Sequence, residues 1–218
     1  MEQSTIKNIF QPFVGHDDRR EEMNSPMKQN GFYFATDAHT LICCPVSICP
    51  DADFEERNKP NCTAVMPTER TEAIEIETSF INTINEVLPM TEETKIELID
   101  CKECYGSGIV ECNYGHEHEC DECDASGKKE GKKKTGNVIK DFYCLIKVWG
   151  IIFRYQELKK VFEVANKLNL AKFSLIRGAQ SKGNLFQVGD FQVLIMSHHD
   201  FDNLSVKVPP CALAGIKI

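Results

Sequence analysis

The chain has 218 residues, with 42% hydrophobic and 27% charged side chains, a balance that supports a buried core and excludes global disorder. A formal net charge of −8 argues against a surface that coats nucleic acid everywhere, while leaving room for a local basic face. No run of about eighteen apolar residues is present, so no membrane span is expected. The start, MEQSTIKNIF, lacks the cationic and apolar regions of a secretion leader. Eleven cysteines without such a leader point to a reducing compartment, cytoplasmic by default, and to thiolate–metal chemistry in place of disulfides.

Ile6, Ile9, Phe10, Phe13 and Val14 fall at helical spacing, with Ser4 or Thr5 as the cap. A polar stretch follows from His16 to Gln29. GFYFATD and HTLICCP read as two short strands around a turn at Asp37-Ala38, and Cys43-Cys44 read as packing residues within an apolar strand. Pro45, Pro50 and Pro60 mark a long surface loop over 45–63. A helix is expected over Ser79–Leu88, stopped by Pro89, and a strand over Ile96–Ile99.

Composition then changes. Residues 101–137 hold five cysteines, two histidines and six glycines with almost no large aliphatic side chains, too little apolar surface to order themselves unaided. Core-like sequence is expected to resume at Val138, with a β-prone run over Phe142–Phe153. Tyr155–Leu168 is the clearest helix, with Leu158, Val161, Phe162, Ala165 and Leu168 on one face. FSLIRG reads as a strand, and LFQV-GD-FQVLIM as a hairpin whose Gly189-Asp190 turn suits type II′ geometry. Together these elements predict an α+β fold of mostly antiparallel strands. The main domain takes 1–99 and 138–218, and 100–137 is an insertion.

Two half-sites stand out in the insertion, CKECYGSG from Cys101 and CDECDASG from Cys120. Each CxxC sets two thiolates on one tight turn, and the glycines that follow permit the positive φ that aims backbone amides at sulfur. Cys101, Cys104, Cys120 and Cys123 together make one tetrahedral four-sulfur shell, the pattern of a structural zinc site. A closed shell leaves no open position for zinc catalysis. A redox dithiol pair is disfavoured because no βαβ context surrounds either CxxC. Cys112, His116 and His118 lie between the half-sites as spare ligands, the histidines reading as a solvent-facing hairpin tip.

These halves resemble the CxxCxGxG repeats of the DnaJ-type chaperone cysteine-rich domain over about 27 residues. That family carries four repeats and two zincs, so two repeats imply one ion here. Ala125 departs from the pattern, where the family has Gly. With no J-domain signature present, chaperone substrate binding does not carry over. Directly after the second half comes KKEGKKK, residues 128–134, read either as a solvated loop or as a phosphate contact through Lys132, Lys133 and Lys134. No aromatic residue is interleaved to stack bases, which favours duplex backbone as the target.

In the main domain, GFYFATDAHTLI resembles the "vatDghrLa" hairpin of the bacterial DNA polymerase III beta subunit, the sliding clamp. KPNCTAVMP, residues 59–67, resembles that family's "fPdyrrviP" segment, though Lys59 and Cys62 replace its aromatics. The order of elements from Ile152 through Met196 follows a clamp module, and LIMSH stands where the family has "lvmPm". A clamp subunit has three such domains, whereas this chain has room for one, and the cysteine insertion is foreign to it. Compact versions of this kind resemble phage or mobile-element proteins.

The resemblance implies helices on one face of the sheet and a non-enzymatic role in DNA tethering or polymerase processivity. It also implies duplex DNA and a DNA polymerase or other replication protein as partners, and a homo-oligomer if a ring is to close. Arg154, Lys159, Lys160 and Lys167, on or beside the Tyr155–Leu168 helix, are the candidate phosphate contacts. The competing reading is a zinc-stabilised protein-interaction adaptor without a DNA role.

Nothing points to catalysis. His198, His199 and Asp200 are adjacent at a strand end, and Asp37 and His39 bracket a turn; neighbours on a strand point to opposite faces and do not converge. There is no phosphate-cradling Gly-Lys loop, no HExxH and no nucleophile elbow.

Overall fold

A computed structural model describes residues 1–16, 19–67, 72–112, 114–177, 183–196 and 205–207. The chain divides into two compact units, one of residues 1–88 and 142–218, the other of residues 89–141. The expected insertion, 100–137, is thus the central part of a larger second unit.

Helix α1 (Gln3–Phe10) buries Ile6, Ile9 and Phe10, and Pro12 then turns the chain into a short 3₁₀ segment that adds Phe13. Its N-cap is Glu2, without a side-chain bond, so Ser4 and Thr5 lie inside the helix and cap nothing. The polar stretch that follows yields a strand that periodicity did not announce, β1 (Met27–Gln29). The hairpin of β2 (Phe32–Thr36) and β3 (Thr40–Pro45) falls where expected. Strand β4 (Glu72–Glu77) and helix α2 (Phe80–Val87) complete the first part, with Pro89 beyond the helix end.

The second unit consists of β5 (Met90–Asp100), β6 (Ile109–Glu111), β7 (Glu117–Glu119) and β8 (Lys128–Lys140). The chain then returns through β9 (Leu145–Val148), β10 (Ile151–Arg154), α3 (Tyr155–Lys167), β11 (Lys172–Arg177), β12 (Gly183–Val188), β13 (Phe191–Met196) and β14 (Ser205–Lys207). The expected single run over Phe142–Phe153 is in fact the β9–β10 hairpin, reversed at Trp149-Gly150, both at positive φ.

Seven strands form one antiparallel sheet in the order β1-β2-β3-β13-β12-β11-β4, so β13 pairs with β3 across some 150 residues of chain. Successive strand residues point to opposite faces. Tyr33, Ala35, Ile42, Cys44, Phe186 and Val193 therefore join one core, while Phe34, Leu41, Cys43, Leu185 and Leu194 join another on the reverse face. With both faces covered, β2 and β3 read as near-continuous apolar runs.

All three α-helices among the described residues contribute to the first of these cores, through Ile6, Ile9 and Phe10, through Ile84, and through Leu158, Val161, Phe162 and Ala165. The helices thus lie on one face of the sheet. Phe162 meets Phe173 edge-to-face at 5.0 Å. Each such fully buried side chain contributes about 1.5–3 kcal/mol.

The second unit corrects two expectations. The lysine run is not a loop: it is most of β8, paired with β5 from Met90↔Lys140 to Asp100↔Lys128. Lysine has poor strand propensity, but each strand supplies the other's counter-charges, with Lys134–Glu92 at 2.6 Å, Lys133–Glu97 at 3.0 Å and Lys128–Asp100 at 2.5 Å. Nor does the core resume at Val138, which is 63% exposed on the ribbon; it resumes at Ile146, fully buried.

Candidate metal centre and interaction surfaces

The cysteines gather because the two half-sites are built alike. Tyr105 and Asp124 take left-handed φ of 54° and 48°, and Gly106 and Ala125 follow at 88° and 59°. This wraps each CxxC so that the Gly108 amide donates to Cys104 Sγ at 3.2 Å and the Gly127 amide to Cys123 Sγ at 3.3 Å. Ser107 and Ser126 lock the turns by donating to the carbonyls of Cys104 and Cys123. The halves then clasp each other, with Cys101 N donating to Gly127 O at 2.8 Å and Cys120 N to Gly108 O at 2.9 Å. Glycine is obligatory at the clasp: a Cβ on Gly108 would lie 2.2 Å from the Ala125 carbonyl oxygen, and one on Gly127 would lie 2.3 Å from that of Gly106.

All four thiols are buried, with Sγ atoms within 4.8 Å of one another. Cys101 and Cys120 are 3.9 Å apart and Cys104 and Cys123 3.7 Å. A tetrahedral shell with metal–sulfur bonds of about 2.3 Å sets its sulfurs about 3.8 Å apart, so the spacing fits a bound ion and not a disulfide. Burial pushes the Cys104 thiol up, and the Gly108 and Gly106 amides more than reverse this, bringing it to about 7. Burial pushes the Cys120 thiol up to about 12. Four thiolates this close repel, and full ionisation calls for a cation among them. Cys112 lies outside the cluster, at the base of the β6–β7 hairpin turn where its amide donates to His116 O, and His116 and His118 are exposed.

The seven candidate DNA contacts divide. Lys160 is not on the open face: its Nζ donates to Asp37 Oδ2 at 2.7 Å and Thr40 Oγ1 at 3.0 Å and sits 5.3 Å from the Phe13 ring centre. Its spacing on α3 predicts solvent, but the β2–β3 turn supplies a partner from 123 residues away. Burial raises the Asp37 carboxyl, and the Lys160 ammonium and the Thr40 bonds outweigh it, leaving the group below its ordinary value.

Lys159 pairs with Glu163 at 3.4 Å, and Lys167 donates to the Asn8 carbonyl at 2.7 Å. Both stay exposed, as does Arg154 at the α3 N-cap. Lys7 on α1 is exposed in the same helix layer, a residue the sequence reading passed over. On β8, Lys133 and Lys134 are engaged with Glu97 and Glu92, while Lys132 is exposed opposite Ile96. His198, His199 and Asp200 lie outside the described residues.

A cavity of about 170 Å³ opens on the reverse face of the sheet. Its apolar lining comes from Met23, Ala38, Leu41, Pro60, Cys62, Val65, Leu194 and Met196. All but Met23 belong to the three segments that carried the clamp resemblance, so segments far apart in sequence meet at one place. Buried Gln29, on the unannounced strand β1, holds the middle segment. Its Nε2 donates to the carbonyls of Arg57 and Pro60, and its Oε1 accepts from Cys62 N at 3.0 Å.

No helix among the described residues is long and apolar enough to cross a membrane. No protein-family model matches the sequence, and no curated protein matches it. Solved structures do. Two crystal structures of the Pseudomonas aeruginosa sliding clamp, the DNA polymerase III subunit beta, superpose with a TM-score of 0.50 at 11% and 12% identity. Each match takes in 92% of this chain and 66% of the clamp chain, so this protein spans just under two thirds of a clamp subunit's length. At this identity the likeness is one of fold, and the chain has a sliding-clamp-like α+β architecture that also holds a four-cysteine cluster.

Proposed function

We propose that this protein is a non-enzymatic, cytoplasmic, clamp-like factor that holds duplex DNA without reading sequence and tethers a replication protein such as a DNA polymerase. In this reading a structural zinc ion is bound by Cys101, Cys104, Cys120 and Cys123. Zinc would cross-link the two half-sites and supply folding energy to a segment with little core of its own.

The observation that carries the DNA reading is the helix layer. Lys159, Lys167 and Lys7 are exposed on helices whose other side is fixed in the core of an otherwise acidic chain, with Arg154 exposed at the α3 N-cap. Cations on rigid helices meet phosphates and release counterions without base contacts. The exposed Lys159–Glu163 pair is weak enough to exchange for phosphate. The apolar cavity suits the aliphatic side chains of a client peptide.

Fluorescence anisotropy on a labelled duplex tests the reading. Binding should be independent of sequence, fall steeply with salt, and be lost in the Arg154→Glu, Lys159→Glu, Lys167→Glu variant. Lys160 is left intact because it serves the fold through Asp37. A variant that binds as well as the parent would defeat the assignment.

The adaptor reading draws on a specific observation in the second unit. Residues 89–141 carry eight lysines against thirteen carboxylates, a net −5, and expose Tyr105 at 89% and Tyr114 at 87%. Such a surface repels phosphate and suits a basic protein. A chain that ignores duplex at low salt yet keeps its metal would favour it.

A further inference from the structure

Among the described residues, β5 has β8 on one edge and no strand on the other. A two-stranded ribbon is marginal in water, and independent stability begins at three or more strands. Yet β5 exposes Ile96 at 68% and Leu98 at 70%, two residues apart and so on the same face. Exposed strand edges are ordinarily blunted by proline, by bulges or by free charge. From Thr94 to Asp100 this edge has no proline and an unbroken register; its carboxylates Glu97 and Asp100 are held by Lys133 and Lys128, which leaves the exposed Lys95 as its one unengaged charge.

We propose that β5 pairs antiparallel with β5 of a second copy about a two-fold axis at Glu97, joining two ribbons into one four-stranded sheet. In this register the sequence TKIELID is self-complementary. Ile96 faces the partner's Leu98, and Leu98 faces the partner's Ile96, so four aliphatic side chains close over one another on one face. On the other face Lys95 lies diagonal to the partner's Glu97, and the reverse, giving two favourable cross-strand pairs. Glu97 faces the partner's Glu97, but each is already neutralised by its own Lys133 at 3.0 Å.

The alternatives fare worse. Pairing through β8 would set Lys132, Lys133 and Lys134 against the same residues, on a strand with six lysines and one glutamate. Pairing β5 of one copy to β8 of the next leaves an edge free at each end and does not close, whereas a two-fold junction does. The buried area is small, below the roughly 1,000 Å² of a stable interface. The dimer is therefore weak and concentration-dependent. It does not depend on the DNA reading and survives that reading's failure.

Sedimentation velocity of the full, metal-loaded chain over a wide concentration range should show reversible monomer–dimer exchange. Leu98→Lys, at an exposed site, should weaken it by about tenfold or more while far-UV circular dichroism and zinc content stay at parent values. Glu97→Cys puts a thiol on the axis, where opposed Cα atoms lie about 4.5–5.5 Å apart, within disulfide reach. Lys95→Cys would be four positions, about 13 Å, from its own mate. Oxidation should link copies of Glu97→Cys faster than Lys95→Cys or the parent. A chain that stays monomeric at every concentration, a dimer indifferent to Leu98→Lys, or equal cross-linking at positions 95 and 97 would each overturn the proposal.

Discussion

Ala125→Gly is expected to tighten the metal centre. Ala125 holds φ 59° where its counterpart in the first half-site is Gly106 at 88°, and a Cβ in the left-handed region costs roughly 1–2 kcal/mol. Glycine relieves that strain but gives back about 0.4–1 kcal/mol through the looser unfolded chain. The net gain is then about 0.5–1 kcal/mol. Because the site orders as it binds, this appears as a two- to fivefold gain in zinc affinity.

The reciprocal change should be worse than the strain alone. A Cβ on Gly106 would sit 2.9 Å from Asp100 Oδ1, so Gly106→Ala adds a clash with the carboxylate that pairs with Lys128. Competition against a chromogenic chelator, at fixed pH and reductant, reads both variants. The reasoning fails if Ala125→Gly binds zinc no better than the parent, or if Gly106→Ala is as tolerant as the natural Ala125.

Other expectations concern separate parts of the molecule. Purified protein should carry close to one zinc, and Cys101→Ser with Cys120→Ser should lose it while residues 1–88 and 142–218 melt as before, as judged by metal analysis and calorimetry. Leu158→Ala and Phe162→Ala, which empty fully buried positions under α3, should each cost on the order of 2–5 kcal/mol in denaturant melts. A loss below about 1 kcal/mol would contradict the packing. Asp37→Asn tests the Lys160 pair through pH. A carboxyl lowered in the folded state contributes stability that is full above its unfolded value, about 3.9, and fades as pH falls through the folded one. The stability gap between parent and variant should therefore be constant near neutrality and shrink below about pH 4; a gap that grows on acidification would reverse the assignment.

Much of the main domain was legible because its signals are local. The stripe Leu158, Val161, Phe162 and Ala165 places α3 without reference to anything else, and Gly189-Asp190 places the β12–β13 turn. The four-cysteine cluster was legible for the same reason, since CxxC and the glycines behind it carry their own turn geometry. Strand β1 was not, because three residues are too few for a period to show and Gln29 is buried for its hydrogen bonds.

Where the sequence reading failed, the deciding partner lay elsewhere in the chain. Lysine and glycine over 128–134 say loop on propensity alone; only the facing acids of β5, some 30 to 40 residues earlier, make them a strand. Lys160 follows helical spacing to the solvent side of α3, yet Asp37 claims it from the sheet. Residue type and spacing by themselves determined the cysteine cluster, the helices and the β2–β3 and β12–β13 hairpins, because those depend on neighbours within a few positions. Tertiary structure alone decided the strand order, the apolar cavity and which cations remain free for a partner, because each depends on backbone and charges brought together across the length of the chain.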